Sequence, residues 1–255
     1  MPTSHGGPRW RFAMRDRIWH RMAESFPAEG ASANDASFAE QRLWDAYHQL
    51  LLGPDVERLR KLMVRYDLFR MALDLPGDIV ECGVFKGAGL LTWLKFLHVH
   101  APGSARRVVG FDTFDAFAEA RGADLQAVDA FVRETGHRGT SPAALFEMIA
   151  AAGIDTAHCD LVAGDVRITA SEYAAKNPGF RIALLHMDLD LGEPTYAVLD
   201  ALWPRVVTGG VVVFDEYAAP RWSESDGVDR FFANRKVRLR TLAHARTPTA
   251  YVIKE

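Results

Sequence analysis

Two cysteines in 255 residues, Cys82 and Cys159, exclude a disulfide framework, and the simple expectation is a reduced, cytoplasmic protein. Neither charge is in excess. Thirty Lys and Arg against 33 Asp and Glu leave a formal net charge of -3, which counts against a polyanionic partner such as nucleic acid. Long apolar runs are missing as well: no stretch approaches the length of a membrane span, so no membrane partner is expected. The amino-terminal "MPTSHGGPRWRFAMRDRIWHRM" carries charge but no apolar core of signal-peptide length. Internal repeats and low-complexity segments are also lacking. What is present is 49% hydrophobic residues, enough for a full core, over a length that fits one large domain with an extension.

That extension is predicted over residues 1–75. "FAEQRLWDAYHQLLLG" and "DVERLRKLMVRYDLFRMALDL" place Leu and aromatic residues at helical spacing, with Arg and Glu between them. Pro76 and Gly77 stop the pattern, and a domain over 76–255 follows. Here the period changes. "DIVECGV" (78–84), "RVVGFDT" (107–113), "CDLVAG" (159–164), "IALLHMD" (182–188) and "VVVFDEY" (211–217) are short β-rich runs with helical stretches between them. One of these stretches, "SPAALFEMIAAAG", has Ser141 as N-cap, Pro142 at the first helical position and Gly153 as the stop. Alternation of this kind predicts an α/β fold, a parallel sheet with helices on both faces. "KVRLRTLA" and "TAYVIKE" at the end are close enough to form a terminal hairpin.

Two of the strands end in acids: "IALLHM" runs into Asp188 and Asp190, and "GGVVVF" into Asp215 and Glu216. Strands buried on both faces read as continuous apolar runs, so acids at their carboxyl ends mark the rim where open α/β sheets bind ligands. The first strand leads into "ECGVFKGAG", that is ExGxxxGxG through Glu81, Gly83, Gly87 and Gly89. Glycines let the backbone of this turn approach a ligand closely. The spacing is wider than the dinucleotide GxGxxG and suits a nucleoside without a pyrophosphate. Glu81 would repel phosphates and attract a cation. Asp112, closing the second strand, is placed to accept hydrogen bonds from a ribose diol. Together these features point to adenosine binding.

"GDIVECGVFKGAG", "GFDTF", "DLDLGEPT" and "LWPRVVTGGVVVFDEY" resemble the macrocin O-methyltransferase family within the class I S-adenosylmethionine-dependent methyltransferases. The resemblance implies a Rossmann-like, seven-stranded, mostly parallel sheet with a reversed last strand, in agreement with the terminal hairpin. It also implies methyl transfer from S-adenosylmethionine to a hydroxyl of a small natural-product or sugar acceptor, with magnesium. The family's metal ligands correspond to Asp188, Asp215 and Glu216. Three hard oxygen donors without Cys or His suit magnesium or calcium better than zinc, and three carboxylates packed together without a cation would repel one another. Asp190 corresponds to the family's candidate general base, with Asp188 as the second choice; the competing role for Asp190 is to orient a metal-bound water. Asp165 corresponds to the position that reads the adenine side, and otherwise is a turn residue after Gly164. Three residues depart from the family pattern: Gly192 stands for an aromatic, Pro194 for a small hydroxyl residue and Glu216 for a second Asp.

Weaker candidates remain. His186 shares a strand face with Asp188 and reads as a core histidine. Glu193 reads as a helix-capping acid. The connection 115–140, with His137 and Arg138, is long enough to be a lid. Arg9, Arg11, Arg15, Arg17 and Arg21, with Trp10, Phe12 and Trp19, suit a dimer-contacting helix that makes a homo-oligomer, an exposed basic helix or a disordered arm. Two rival functions are an NAD-dependent oxidoreductase, against which the glycine spacing and the acidic rim both count, and a non-catalytic partner subunit.

Overall fold

Ile79 and Val80, adjacent in the first strand, are both fully buried but face opposite layers of helices. That pair summarises the architecture. The computed structural model describes residues 33–116, 120, 123–136 and 139–255. Helices α1 (Ala33–Leu52) and α2 (Glu57–Ala72) lead into β1 (Asp78–Cys82), α3 (Ala88–His100) and β2 (Val108–Asp112). Then come α4 (Ala123–Thr135), α5 (Pro142–Ala151), β3 (Cys159–Ala163), α6 (Val166–Lys176) and β4 (Ile182–Met187). The chain ends with α7 (Gly192–Leu202), β5 (Val206–Phe214), α8 (Glu224–Phe232) and β6 (Ala250–Ile253). The strand order is β3-β2-β1-β4-β5-β6, parallel except for β6, which runs antiparallel to β5.

On one side α6, α7 and α8 cover Val80, Phe111, Leu185 and Phe214 with Ala170, Val198, Leu199 and Phe231. On the other side α2, α3 and α5 cover Ile79, Leu184, Val211 and Val213 with Leu68, Phe69, Trp93 and Leu145. α2, placed by its sequence in the extension, thus supplies part of the core of the sheet. The predicted cap is present: Ser141 Oγ accepts the Ala144 N–H at 3.3 Å, with Pro142 next to it.

Two sequence expectations differ from the structure. The sheet has six strands among the described residues, not seven, because "KVRLRTLA" contributes a single antiparallel bridge, Arg240 to Tyr251. Arg238 and Arg240 are exposed there, and charge on an edge discourages continued pairing. β5 in turn starts five residues earlier than its apolar run, at Val206 rather than Val211. A bulge between the Ile182–Val206 and Leu184–Val211 pairs takes up Gly209 and Gly210. Arg9, Arg11, Arg15, Arg17, Arg21, Trp10, Phe12, Trp19, His137 and Arg138 lie outside the described residues.

Candidate active site

Parallel register brings the carboxyl ends of β1, β2, β4 and β5 to one rim, where a cavity of about 370 Å³ is lined by Glu81, Gly83, Gly89, Asp112, Asp188, Asp190, Asp215 and Glu216 among others. One half of this cavity is made by β1 and β2. Gly83 and Gly87 have φ of +93° and +86°, a region open to glycine. A Cβ on Gly83 would lie 1.8 Å from the Asp188 carbonyl oxygen, and one on Gly89 would lie 1.8 Å from Glu81 Oε1. The turn is therefore packed against the site by backbone alone. Asp112 Oδ2 accepts the Phe85 N–H and Oδ1 the Phe114 N–H, each at 2.8 Å, so the carboxylate is fixed by the loops on either side of it. Buried Glu81 keeps Oε2 without a hydrogen-bond partner among the described residues. An orphaned carboxylate oxygen beside a glycine turn fits the cationic amino group of a methionine moiety, and Asp112 fits a ribose.

Asp165 is placed differently. Its carboxylate caps α6, accepting the Arg167 N–H at 2.9 Å, and is paired with the Arg167 guanidinium. Gly164 and Val166 line the cavity on either side of it.

The second half rests on a row of polar groups across three strands. Glu81 and His186 are register partners on β1 and β4, and Asp215 follows on the same face two residues beyond Val213, the partner of His186. His186 is fully buried, with Nδ1 3.0 Å from Glu81 Oε1 and Nε2 3.1 Å from Asp215 Oδ1. Burial alone would lower its pKa, but the two carboxylate bonds outweigh burial and raise it. The histidine is a satisfied core residue, as its strand context predicts, and it also ties the glycine-turn half to the acid rim.

Onto this row α2 lays Lys61 and Arg65. Lys61 Nζ is 2.6 Å from Asp215 Oδ2 and 3.9 Å from Asp188 Oδ2; Arg65 Nη2 is 3.6 Å from Asp188 Oδ2. Thr247 Oγ1 donates to Asp215 Oδ2 at 3.0 Å. Burial would raise the Asp215 carboxyl, yet His186, Lys61 and Arg65 hold it well below the usual carboxylate range. Its neighbours go the other way. Burial, then Asp215, raises Asp188; burial, then Asp188, Glu216 and Asp215, pushes Asp190 well up. Burial with Asp215 and Asp188 brings Glu216 to about 7. Asp190 also sits at φ +63°, a left-handed conformation that costs a non-glycine residue about 1 kcal/mol or more and clusters at functional sites.

The expected metal trio is only partly assembled. Asp188 and Asp215 converge, but their third companion within 4.8 Å is His186, and Glu216 stands outside that group. Both nitrogens of His186 are engaged with carboxylates, which leaves oxygen donors for a cation. A surplus of carboxyls with raised pKa fits a divalent ion chemically.

Sequence reasoning missed Lys61, Arg65, Thr247 and Glu224. Glu224 is fully buried, accepts the Glu216 N–H at 3.1 Å, and is raised well above its ordinary pKa by burial. Lys61 and Arg65 did leave a signal: they precede Leu68, Phe69 and Ala72 on the core-facing stripe of α2, where a charge is out of place. Gly192 also finds its reason. A Cβ there would be 2.8 Å from the Ser223 carbonyl oxygen, because α7 abuts α8 backbone to backbone at Gly227. Glu193, in the first turn of α7, is paired with Arg230 at 2.6 and 3.1 Å.

A parallel sheet of this order closed by a reversed strand, with the glycine turn and the acid rim on one cavity, is the α/β methyltransferase fold. The chain belongs to the Macrocin-O-methyltransferase (TylF) family, whose pattern matches residues 53–243, and so to the S-adenosylmethionine-dependent O-methyltransferases. It is 34% identical over 180 residues to the 8-demethyl-8-(2,3-dimethoxy-alpha-L-rhamnosyl)-tetracenomycin-C 4'-O-methyltransferase of Streptomyces olivaceus, spanning 69% of this chain and 66% of that relative. Two structures of the calicheamicin methyltransferase CalS11 are similar throughout. One is 28% identical over 99% of both chains with a TM-score of 0.66. The other, an apo form described as a TDP-rhamnose 3'-O-methyltransferase, is 30% identical over 98% of this chain and 96% of that one, with a TM-score of 0.63.

Among the described residues no helix is long and apolar enough to cross a membrane.

Proposed function

We propose that this protein methylates a hydroxyl of a deoxysugar, carried on a nucleotide or on a natural-product aglycone, with S-adenosylmethionine as donor and magnesium as the metal. The observation that carries the reading is the meeting of two unlike surfaces in one cavity, a glycine turn with Glu81 and Asp112 on one side and a carboxyl cluster on the other. The tetracenomycin relative and CalS11 are both named for a rhamnose acceptor, which favours that class of acceptor.

In this reading Glu81, Gly83, Gly87 and Gly89 seat the methionine moiety and Asp112 the ribose. Asp165 contributes to the adenine side through its backbone, with its carboxylate occupied by Arg167. Asp188, Asp215 and Glu216 would hold the magnesium ion. When bound, that ion supplies a Lewis acid that makes an acceptor hydroxyl easier to deprotonate. Asp190, kept proton-hungry by burial and by Asp188, is the base. S-adenosylmethionine supplies the methyl group; the products are the methyl ether, S-adenosylhomocysteine and the proton that Asp190 takes up. Holding donor and acceptor in line is worth about 7–11 kcal/mol of barrier in favourable cases. The lid is residues 115–140: α4 places Phe131 and Thr135 on the cavity wall, and Glu134 pairs with Arg221 at 3.0 Å. The exposed Trp44, Tyr47, Leu51 and Leu52 of α1 support a homo-oligomer through the N-terminal helices. A cytoplasmic location completes the reading.

The test is turnover on TDP-rhamnose and on a rhamnosylated aglycone, with magnesium or with EDTA. Activity that EDTA stops and magnesium restores is expected. Asp188→Ala should lose turnover below detection while calorimetry still registers S-adenosylhomocysteine. Full activity in that variant, or in EDTA, would remove the metal from the reaction.

A further inference from the structure

Lys61 is the one ammonium among the described residues that reaches both Asp188 and Asp215, the two carboxylates assigned above to magnesium. Its Nζ is 2.6 Å from Asp215 Oδ2 and 3.9 Å from Asp188 Oδ2. Asp215 has two further partners: Thr247 Oγ1 donates to the same Oδ2, and His186 Nε2 bonds Oδ1. A carboxylate offers about four lone-pair positions, so three of them are taken before any metal arrives. A divalent ion held by Asp188 and Asp215 would share these carboxylates with the ammonium, and like charges at such close range repel.

The two cations of α2 are not equivalent. Arg65 is buried, touches only Asp188 among these acids and lies with its guanidinium carbon 5.9 Å from the Trp93 ring centroid, so it is held in place. Lys61 retains 27% exposure of its side chain, sits in the second turn of a helix that begins at Glu57, and carries its charge on a flexible four-carbon stem. It can swing out to solvent; Arg65 cannot without opening the core.

We propose that Lys61 is a tethered counter-cation that occupies the bridging position between Asp188 and Asp215 in the metal-free protein, and that a divalent ion enters by displacing it. The metal affinity is then set by a competition written into α2. This rests on the reading that magnesium binds here, and Lys61 acts through the two aspartates as a positioning residue. The arrangement keeps the carboxylates from repelling one another when metal is scarce, and makes loading weaker and reversible.

The experiment is titration of manganese and magnesium chloride into the full chain, followed by calorimetry and by the metal-induced rise in melting temperature, for wild type, Lys61→Met and Lys61→Gln. Both variants should bind manganese about tenfold tighter or more, a gain of about 1.4 kcal/mol per decade. Both should melt below wild type without metal and gain more from metal than wild type does. Lys61→Gln keeps a donor for Asp215 without the charge, so it reads the same comparison if Lys61→Met is too unstable to purify. Measurable binding that is equal in all three proteins, or weaker in the variants, overturns the competition and leaves the metal site standing. No heat and no melting shift in any of the three overturns the metal reading itself, and the competition with it.

Discussion

The two halves of the cavity solve opposite electrostatic problems. On the β1 and β2 side, acids are few and each is held by hydrogen-bond donors: Asp112 by two backbone N–H groups, Glu81 by the ring of His186. On the β4 and β5 side, Asp188, Asp190, Asp215, Glu216 and Glu224 stand close enough to raise one another, and only Asp215 has drawn enough cations to stay well ionised. A nucleoside needs shaped backbone and a few fixed acceptors, whereas proton removal from a hydroxyl needs charge held out of balance until the reactants arrive. The first half is built for shape, the second for charge.

Breaking the second half should have the larger effect. Asp190→Asn keeps the size of the side chain and suits the left-handed backbone at φ +63° at least as well as Asp. The fold is therefore retained while the base is lost, and kcat should fall by about 10²–10⁴-fold with little change in S-adenosylhomocysteine binding. A kcat within a factor of about three of wild type would transfer the proton to Asp188. Breaking the first half should be gentler and should appear in binding instead. Gly89→Ala drives a methyl group into Glu81 Oε1, which His186 holds and which cannot swing away. Overpacking of this kind costs about 1–3 kcal/mol of stability, and because it displaces the Glu81 carboxylate, affinity for S-adenosylhomocysteine should fall by about tenfold or more. Unchanged affinity in a calorimetric titration would mean that Glu81 faces away from the cofactor.

The same contrast explains what could be read from the sequence. The shaped half is local: Glu81, Gly83, Gly87 and Gly89 are a single run, and Asp112 ends the next strand, so spacing alone assembles them. The pairing of Asp188 with Asp215 was equally legible, because both close apolar runs on adjacent parallel strands. Partners that bind Asp215 come from 154 residues before it, in the case of the Lys61 ammonium, and 32 after it, in the case of the Thr247 hydroxyl. No spacing rule reaches that far. Lys61 and Arg65 were visible only as charges on the wrong face of α2. The departure at Gly192 had no sequence explanation at all; it follows from the contact of α7 with α8 at Gly227. The missing seventh strand is a similar case, since "KVRLR" alternates like a strand and the exposed arginines of an edge decide how far it pairs.

The smallest effect is a pH dependence that belongs to the charged half alone. Glu216 is moved from 4.5 to about 7 by burial, Asp215 and Asp188. Between those values the folded chain keeps a proton that the unfolded chain has released, so the folded state binds more protons and loses stability as pH rises. The contribution is complete below pH 4.5 and is gone once pH has passed 7. Metal-free protein should therefore melt at progressively lower temperature across that interval. Asp190 and Glu224, raised by burial, act with the same sign, so Glu216→Gln should flatten the profile without abolishing it. Above pH 7 the variant, which cannot ionise, should melt higher than wild type. If Glu216→Gln instead runs parallel to wild type from pH 4.5 upward, its carboxyl is not held protonated by its neighbours, and the charge surplus that separates the two halves shrinks to Asp188 and Asp190.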